Sequence, residues 1–155
     1  MTIDGLTQWR IAFLEDASRL ITCRELLPNA TTEATILVLE TGFARYGVPN
    51  QNGSQFVSNH KANTPRHTFG RFLEHYSIRQ IVARRNHPQT NGKIERFFRE
   101  IERLIAAGFS MDDVVNWQNR IKPHASLDDK VPETVFVERL PPERIFGYAQ
   151  RWLCE

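Results

Sequence analysis

Two apolar runs near the start of the chain are separated by a short polar stretch. The runs cover Trp9–Leu14 and Leu20–Leu26, and Glu15–Ser18 between them has a composition suited to a turn. Ile21–Cys23 in the second run favours extended backbone. Two such runs joined by a short turn predict an antiparallel hairpin, buried on both faces at its centre.

Helical patterning begins after residue 29. Side chains suited to helix capping occupy Asn29–Thr32, and Glu33 follows in the expected first turn. The helix is predicted to run to about Tyr46 and to stop at Gly47, just before Val48-Pro49.

The middle of the chain alternates polar and apolar segments. Gln51–Asn63 is polar and is predicted to be a loop. Ile78–Ala83 predicts a short strand, and Arg84–Asn91 a polar connector. Between the loop and the strand, a helix is predicted from four apolar residues at positions i, i+3, i+4 and i+7, which are Phe69, Phe72, Leu73 and Tyr76.

A strong helical pattern begins at about Thr90. Further helices are predicted over Met111–Asn119, from Pro132 through Glu138, and over Glu143–Leu153. The apolar stripe of the helix that begins near Thr90 consists of Ile94, Phe97, Phe98, Ile101, Leu104 and Ile105.

The order of hairpin, helix, loop, helix, strand and further helices is typical of an α/β protein with a small mixed sheet covered by helices. The chain has 155 residues, of which 41% are hydrophobic and 25% charged, a composition that suits one domain with one sizeable core. We expect residues 1–127 to form this core domain and residues 128–155 to form a C-terminal helical extension packed on it.

Several protein classes are disfavoured by composition. No apolar run approaches the roughly 20 residues of a membrane helix, and we find no secretion signal. Cys23 and Cys154 lack the spacing of a disulfide framework or zinc site, and the five histidines lack metal-ligand spacing. We therefore expect an intracellular protein.

The charge of the chain does not by itself identify the class of binding partner. The net charge of +2 is too small to indicate nucleic-acid binding. A solvated helix face with a basic loop would explain the densest basic stretch as well as a DNA-binding surface would. That stretch contains Arg79, Arg84, Arg85, Lys93, Arg96 and Arg99.

Two segments carry a more specific pattern. Asn86–Phe98 has the sequence NHPQTNGKIERFF, and Asn52–Phe56 has the sequence NGSQF. In that order they closely resemble the integrase core shared by retroviral integrases and many insertion-sequence transposases. Phe13–Arg19 resembles the second strand of that core and its turn. Trp117–Leu127, continued by Pro132–Phe136, resembles the segment after the catalytic helix in the bacterial and archaeal transposase branch.

The resemblance implies a ribonuclease-H-like mixed sheet flanked by helices, here with the first and fourth strands shortened or missing. It also implies DNA strand transfer by two divalent ions, Mg²⁺ or Mn²⁺, held by two aspartates and one glutamate. One ion would activate the attacking hydroxyl and the other would stabilise the leaving oxygen. Losing one carboxylate would leave the pair of ions poorly held.

The glutamate of this set matches Glu95, close behind Gly92, where a glycine leaves room for backbone and DNA to approach. The alternative for Glu95 is a solvated side chain that pairs with Arg99 at i, i+4. The place of the second aspartate is occupied by Gln51, a neutral amide and a poor magnesium ligand, after an apparent deletion of about four residues.

The first aspartate has one candidate, Asp4, as a catalytic residue and metal ligand. Asp4-Gly5 is equally typical of a hairpin turn, and we favour the turn. Asp16 matches a turn residue of the family.

We therefore expect the catalytic domain of a DDE transposase or integrase, a polynucleotidyl transferase impaired in strand transfer. The alternatives are a non-enzymatic module that binds DNA or pairs with a transposase, and a recombinase that uses a substitute acid such as Asp16. Expected partners are transposon-end or target DNA, a second copy of the chain or a full-length transposase, without a membrane, in a cytoplasmic, nucleoid-associated setting. The residues expected to contact DNA are Arg84, Arg85, His87, Gln89, Asn91, Lys93 and Arg96.

Overall fold

The computed structural model describes residues 2–3, 6–7, 9–52, 68–80 and 92–141. Four short strands come first, and two more alternate with the first helices. The strands are β1 (Thr2–Ile3), β2 (Leu6–Thr7), β3 (Trp9–Leu14), β4 (Ile21–Leu27), β5 (Gln51–Asn52) and β6 (Arg79–Gln80). The helices are α1 (Thr32–Tyr46), α2 (Thr68–His75), α3 (Gly92–Ala106), α4 (Met111–Asn116) and α5 (Pro132–Arg139), with a π-helical segment (Trp117–Ile121) and a 3₁₀ turn (Ala125–Leu127) between α4 and α5.

The strands pair two by two. β1 and β2 are antiparallel, with Ile3 opposite Leu6. β3 pairs with β4, and β5 pairs in parallel with β6, placing Gln51 opposite Arg79. The predicted α/β class with shortened strands is confirmed, since four of these strands have only two residues each.

The turn between β3 and β4 is held by the carboxylate of Glu15. Its two oxygens accept hydrogen bonds from the backbone N–H groups of Ala17 (3.0 Å) and Ser18 (2.7 Å). The backbone closes with Glu15 N–H donating to Leu20 O at 2.7 Å, and Arg19 takes a left-handed φ of 67°. The predicted hairpin is confirmed, with β4 ending one residue later than expected, at Leu27.

The chain forms two compact units, Met1–Ile11 with Cys23–Thr90 and Ala12–Thr22 with Asn91–Glu155. In the first unit, Thr31 caps α1 by accepting from Ala34 N–H, and Gly47 ends it with φ 87°, both as the sequence predicts. α1 packs against α2, where Phe43 stacks on Phe72 with ring centroids 5.9 Å apart.

In the second unit, α3 packs its apolar face on residues from the hairpin and from α4. The buried cluster consists of Ala12, Ile21, Phe97, Ile101 and Val114. Ile101 and Val114 are each 1% exposed, so the centre of this core is closed to water. The described side chains of the predicted apolar stripe of α3 therefore face the core, and the side chain of Ile94 lies outside the described part.

α4 begins with a reciprocal capping box between Ser110 and Asp113. Hydrogen bonds from the Ser110 hydroxyl and backbone lower the pKa of the Asp113 carboxyl. The sequence predicts one α-helix over Met111–Asn119, but α4 ends at Asn116 and continues as a π-helical turn, with Lys122 N–H donating to Trp117 O at 2.8 Å. That difference is local, because both forms keep the chain helical.

Two further expectations differ in detail. The predicted loop Gln51–Asn63 contains a strand at its start, because Gln51 and Asn52 pair with β6. The predicted strand Ile78–Ala83 is present at Arg79–Gln80, and residues 81–83 lie outside the described part of the chain, as does the predicted helix Glu143–Leu153. α5 confirms the helix expected to begin at Pro132. Among the residues described, no helix combines the length and apolar character needed to cross a bilayer.

Candidate functional site

α3 presents one buried face and one exposed face. Phe97 and Ile101 are buried, whereas Glu95, Arg96 and Arg99 are exposed. A Cβ added at Gly92 would meet nothing within 4 Å, so the start of the helix is open on that side. The exposed face can therefore contact a ligand without disturbing the core.

Glu95 lies in the first turn of α3, the position expected from the sequence. Glu95 and Arg99 are both exposed and form no ion pair with each other in the described part of the chain. Both roles of Glu95, as a metal ligand and as a solvated side chain, stay predictions.

The other predicted ligand and DNA-contacting residues are less fully placed. Asp4 lies outside the described residues, as do Arg84, Arg85, His87, Gln89 and Asn91. Lys93 belongs to α3, but its side chain is not described, and Arg96 is exposed on the same helix. Within the described ranges, no three His, Cys, Asp or Glu side chains are grouped so that they could hold a metal ion. The described residues alone do not fit a two-metal site.

The segment after α4 is fixed to the hairpin by one side chain. Asn119 is 5% exposed, and its amide makes two hydrogen bonds to Ile21. Its Nδ2 donates to Ile21 O and its Oδ1 accepts from Ile21 N–H, both at 2.9 Å. The amide thereby satisfies the backbone N–H and C=O of this residue of β4, as the backbone of a paired strand would.

The same segment is fixed to α3 by charge. Lys122 Nζ donates to the largely buried carboxylate of Glu100 and lies 4.8 Å from the centroid of the Trp117 ring. Arg103 approaches the other oxygen of Glu100 at 3.7 Å. This side of α3 thus carries a carboxylate that is already neutralised by two cations.

Buried Gln118 and partly buried His124 form a polar pair beside these charges. Gln118 is 4% exposed, and its Nε2 lies 3.0 Å from His124 Nε2. Which of the two side chains donates depends on the tautomer of the His124 ring. Gln118 Oε1 has no hydrogen-bond partner among the described residues.

The surroundings of His124 lower the pKa of its imidazole below the usual 6.5. Burial is the largest cause, followed by the positive charge of Lys122, while Glu100 opposes the shift. Arg19 and Arg96 lower the pKa further. Four charged side chains from the hairpin turn, α3 and the segment after α4 therefore act on one ring.

We expect the stability of the protein to depend on pH through His124. Its folded-state pKa lies below the unfolded value of 6.5, so the unfolded chain binds more protons between the two values. The free energy of unfolding should therefore be fully present above about pH 6.5 and fall as the pH drops towards the folded-state pKa. Urea denaturation at several pH values, with His124→Gln and exposed His75→Gln as the matched pair, tests this. Equal pH slopes for wild type and His124→Gln would contradict it.

No family model matches the chain. Among solved structures, the HTLV-2 integrase catalytic core domain in complex with magnesium, in its trimeric form, superposes with a TM-score of 0.66 at 13% identity, covering 88% of this chain and 89% of that one. Its dimeric form gives 0.58 at 15%, covering 88% of each. The chain has the fold of a retroviral integrase catalytic core.

A larger assembly matches as well. The simian T-cell lymphotropic virus intasome in complex with PP2A regulatory subunit B56 gamma contains a chain that superposes with a TM-score of 0.73 at 15% identity. The match covers 92% of this chain and 53% of that chain. At such identities the likeness establishes the integrase core fold, and the predicted ribonuclease-H-like class is confirmed. Membership of the bacterial and archaeal insertion-sequence branch stays a prediction.

Sequence reasoning missed two features of this site. It treated Arg19 only as part of a strand-and-turn match, and it assessed His124 only for metal-ligand spacing. The signal for both was present in the matched segments Phe13–Arg19 and Trp117–Leu127. The hydrogen bonds of Asn119 join the second segment to Ile21, two residues after the end of the first.

Proposed function

We propose that this chain is a DDE transposase or integrase core of the insertion-sequence branch that binds DNA and is impaired in strand transfer. The observation that carries the proposal is the integrase core fold together with the position of Glu95. That carboxylate stands exposed in the first turn of α3, where the resembling segment Asn86–Phe98 places the family's glutamate. Arg96 and Arg99 flank it on the exposed surface.

The impairment rests on the ligand set. Two ions bound to phosphate oxygens need several carboxylates at one place. The resemblance puts the second of them at Gln51, and the strand β5 that carries Gln51 has only two residues. Asp4 is the candidate for the first, and Asp4-Gly5 is also a sequence typical of a hairpin turn. Mg²⁺ or Mn²⁺ remains the cofactor of the ancestral reaction.

The exposed residues of α3 are suited to binding DNA without catalysing a reaction on it. Arginine side chains donate to phosphate oxygens in a fork, and such contacts are salt-dependent and weakly sequence-specific. Arg96 and Arg99 lie on the exposed face of a helix whose other face is anchored in the core. DNA binding is therefore expected to survive the loss of metal. A second copy of the chain and a full-length transposase remain proposed partners, in a cytoplasmic, nucleoid-associated setting.

A strand-transfer assay tests the impairment. With a duplex carrying candidate transposon ends, a plasmid target and either Mg²⁺ or Mn²⁺, we expect no joined product above background from wild type or from Glu95→Gln. DNA binding measured by fluorescence anisotropy in the presence of EDTA should persist and weaken with salt. Robust joining by wild type that Glu95→Gln abolishes would contradict the impairment.

The same assay separates the alternatives. Asp16 is exposed in the hairpin turn, with Oδ1 3.8 Å from Arg19 Nη1. If joining is observed and collapses equally in Asp16→Ala and Glu95→Gln, the chain is a recombinase with a substitute acid. Binding without joining supports a DNA-binding core, and absence of binding at low salt would refute the DNA-binding proposal as a whole.

A further inference from the structure

The loop between the π-helical segment and α5 is held closed by the backbone of His124. Its N–H donates to Lys130 O at 3.1 Å, and its carbonyl oxygen accepts from Leu127 N–H at 2.8 Å and from Asp129 N–H at 3.1 Å. Within the loop, Asp128 and Asp129 take left-handed φ values of 53° and 58°, which residues other than glycine rarely adopt. The loop therefore keeps an unfavourable backbone through bonds that converge on one residue.

The ring of the same residue contacts the π-helical segment through Gln118. The two Nε2 atoms of Gln118 and His124 lie 3.0 Å apart, and Gln118 is 4% exposed. A neutral ring can meet this amide in two ways, because its nitrogen either accepts from the amide NH₂ or donates to the amide oxygen. In the arrangement described, Gln118 Oε1 is buried and has no hydrogen-bond partner among the described residues.

Protonation of the ring leaves only one of these two arrangements. An imidazolium donates from both nitrogens and accepts at neither, so it cannot face an amide NH₂ and has to face the amide oxygen. Gln118 can present that oxygen by turning its amide over, which exchanges Oε1 and Nε2. The protonated ring then brings a positive charge into a contact whose other member is a buried neutral amide.

The surroundings of His124 disfavour that charge while the loop is closed. Burial is the largest cause of its lowered pKa. Nearby charges act as well, with three cations that lower the pKa and one carboxylate that raises it, namely Lys122, Arg19, Arg96 and Glu100. Further carboxylates on the hairpin turn and α3 offset these cations in the wider surroundings, and they are Glu15, Asp16, Glu95 and Glu102. Removal of the ring from water, more than any excess of positive charge, thus decides the sign.

We propose that Gln118 and His124 form a proton-operated latch, in which the neutral ring holds residues 125–131 closed against the π-helical segment and protonation favours release of this loop with the start of α5. The latch does not depend on the proposed DNA binding. Its release would bring Leu127 and Pro132, both buried in the closed loop, into contact with water. Acid would therefore expose an apolar surface at one defined place.

Amide hydrogen exchange at several pH values tests the latch. The N–H groups of Leu127, Asp129 and Lys130 are bonded within the closed loop, so each exchanges when the loop opens. After division by the intrinsic rate, their opening should rise as the pH falls below 6.5, by up to about tenfold for each pH unit between 6.5 and the pKa of the closed state. Val114 N–H, in the buried cluster, reports global unfolding and should open less often than the loop at every pH.

Two substitutions separate the latch from a general effect of acid. His124→Gln removes the titrating ring, so opening of the loop should become independent of pH. Gln118→Glu places a carboxylate of similar shape beside the ring, and a carboxylate accepts from the charged ring. The pKa of His124 should then rise above its wild-type value, and acid should no longer open the loop. His75→Gln, at an exposed histidine of α2, is the matched control and should behave as wild type.

An NMR titration of wild type supplies a readout that needs no variant. The side-chain NH₂ signals of Gln118 should shift with the same midpoint as the ring nitrogens of His124, and this decides the contact if Gln118→Glu does not fold. Signals of Gln118 that do not respond to the ring would refute the latch. Loop amides that open no more often than Val114 would refute local release, and an unchanged pH dependence in folded His124→Gln would refute control by this proton.

Discussion

Replacing Ile101 with alanine is expected to lower the free energy of unfolding by about 2–5 kcal/mol. Ile101 is 1% exposed at the centre of the cluster formed with Ala12, Ile21, Phe97 and Val114. The substitution removes three buried carbons and leaves a cavity between α3, the hairpin and α4, which a close-packed core fills only in part. Urea denaturation followed by circular dichroism measures the change.

The chain supplies a matched control for this substitution. Ile121 is 58% exposed, so Ile121→Ala should change the free energy of unfolding by less than about 0.5 kcal/mol. Equal effects at both positions would show that α3 is not held by the core described here. Because α3 carries Glu95 and Arg96, we also expect Ile101→Ala to weaken DNA binding near its own unfolding transition, while Ile121→Ala binds normally.

Replacing Asn119 with alanine is expected to cost roughly 2–4 kcal/mol of stability, since it leaves two buried backbone groups without partners. The amide of Asn119 satisfies both the N–H and the C=O of Ile21, and no methyl group can do either. Ile21 is 1% exposed, so water cannot replace the lost bonds without opening the core. Thermal or chemical denaturation, with amide hydrogen exchange at Ile21, measures both consequences.

Asn116→Ala is the companion variant. Asn116 is exposed, and its Oδ1 accepts from Arg120 Nη1 at 3.2 Å on the surface. Its removal should cost less than about 0.5 kcal/mol and leave exchange at Ile21 unchanged. Should Asn119→Ala prove as mild as Asn116→Ala, the strand-like role of the Asn119 amide would have to be abandoned.

The hairpin and the individual helices could be predicted because they depend on residues that are close together in the sequence. Thr31 caps the start of α1 with a side-chain hydrogen bond, and Gly47 ends the helix with a positive φ. Both residue types favour these roles. The apolar positions of α3 recur at helical spacing, and the structure buries two of them, Phe97 and Ile101. The hairpin was equally accessible, because Glu15–Ser18 separates two runs that favour strands.

Long-range features could not be predicted in the same way. The strand at Gln51–Asn52 exists because its backbone pairs with β6, about 28 residues later, and polar side chains gave no sign of it. The bond between Asn119 and Ile21 joins residues 98 positions apart. The residue types at these two positions do not predict that the side chain and the backbone group contact each other. Only the folded structure shows the contact.

The candidate site was predictable in part. Glu95 and Arg96 were identified through a resemblance that covers a contiguous segment, and the structure places both on the exposed face of α3. The lowered pKa of His124 is caused by burial and by Lys122, and neither effect can be obtained from the spacing of histidines.

The π-helical turn at Trp117–Ile121 constrains the number of residues in this segment as strongly as it constrains their types. A π-turn holds one residue more than the α-helical turn it replaces, and successive helical residues differ by about 100° in direction. A single-residue deletion there would swing Asn119 away from Ile21 and Lys122 away from Glu100 together. Homologous chains that share these contacts should therefore tolerate substitutions in this segment far more readily than insertions or deletions.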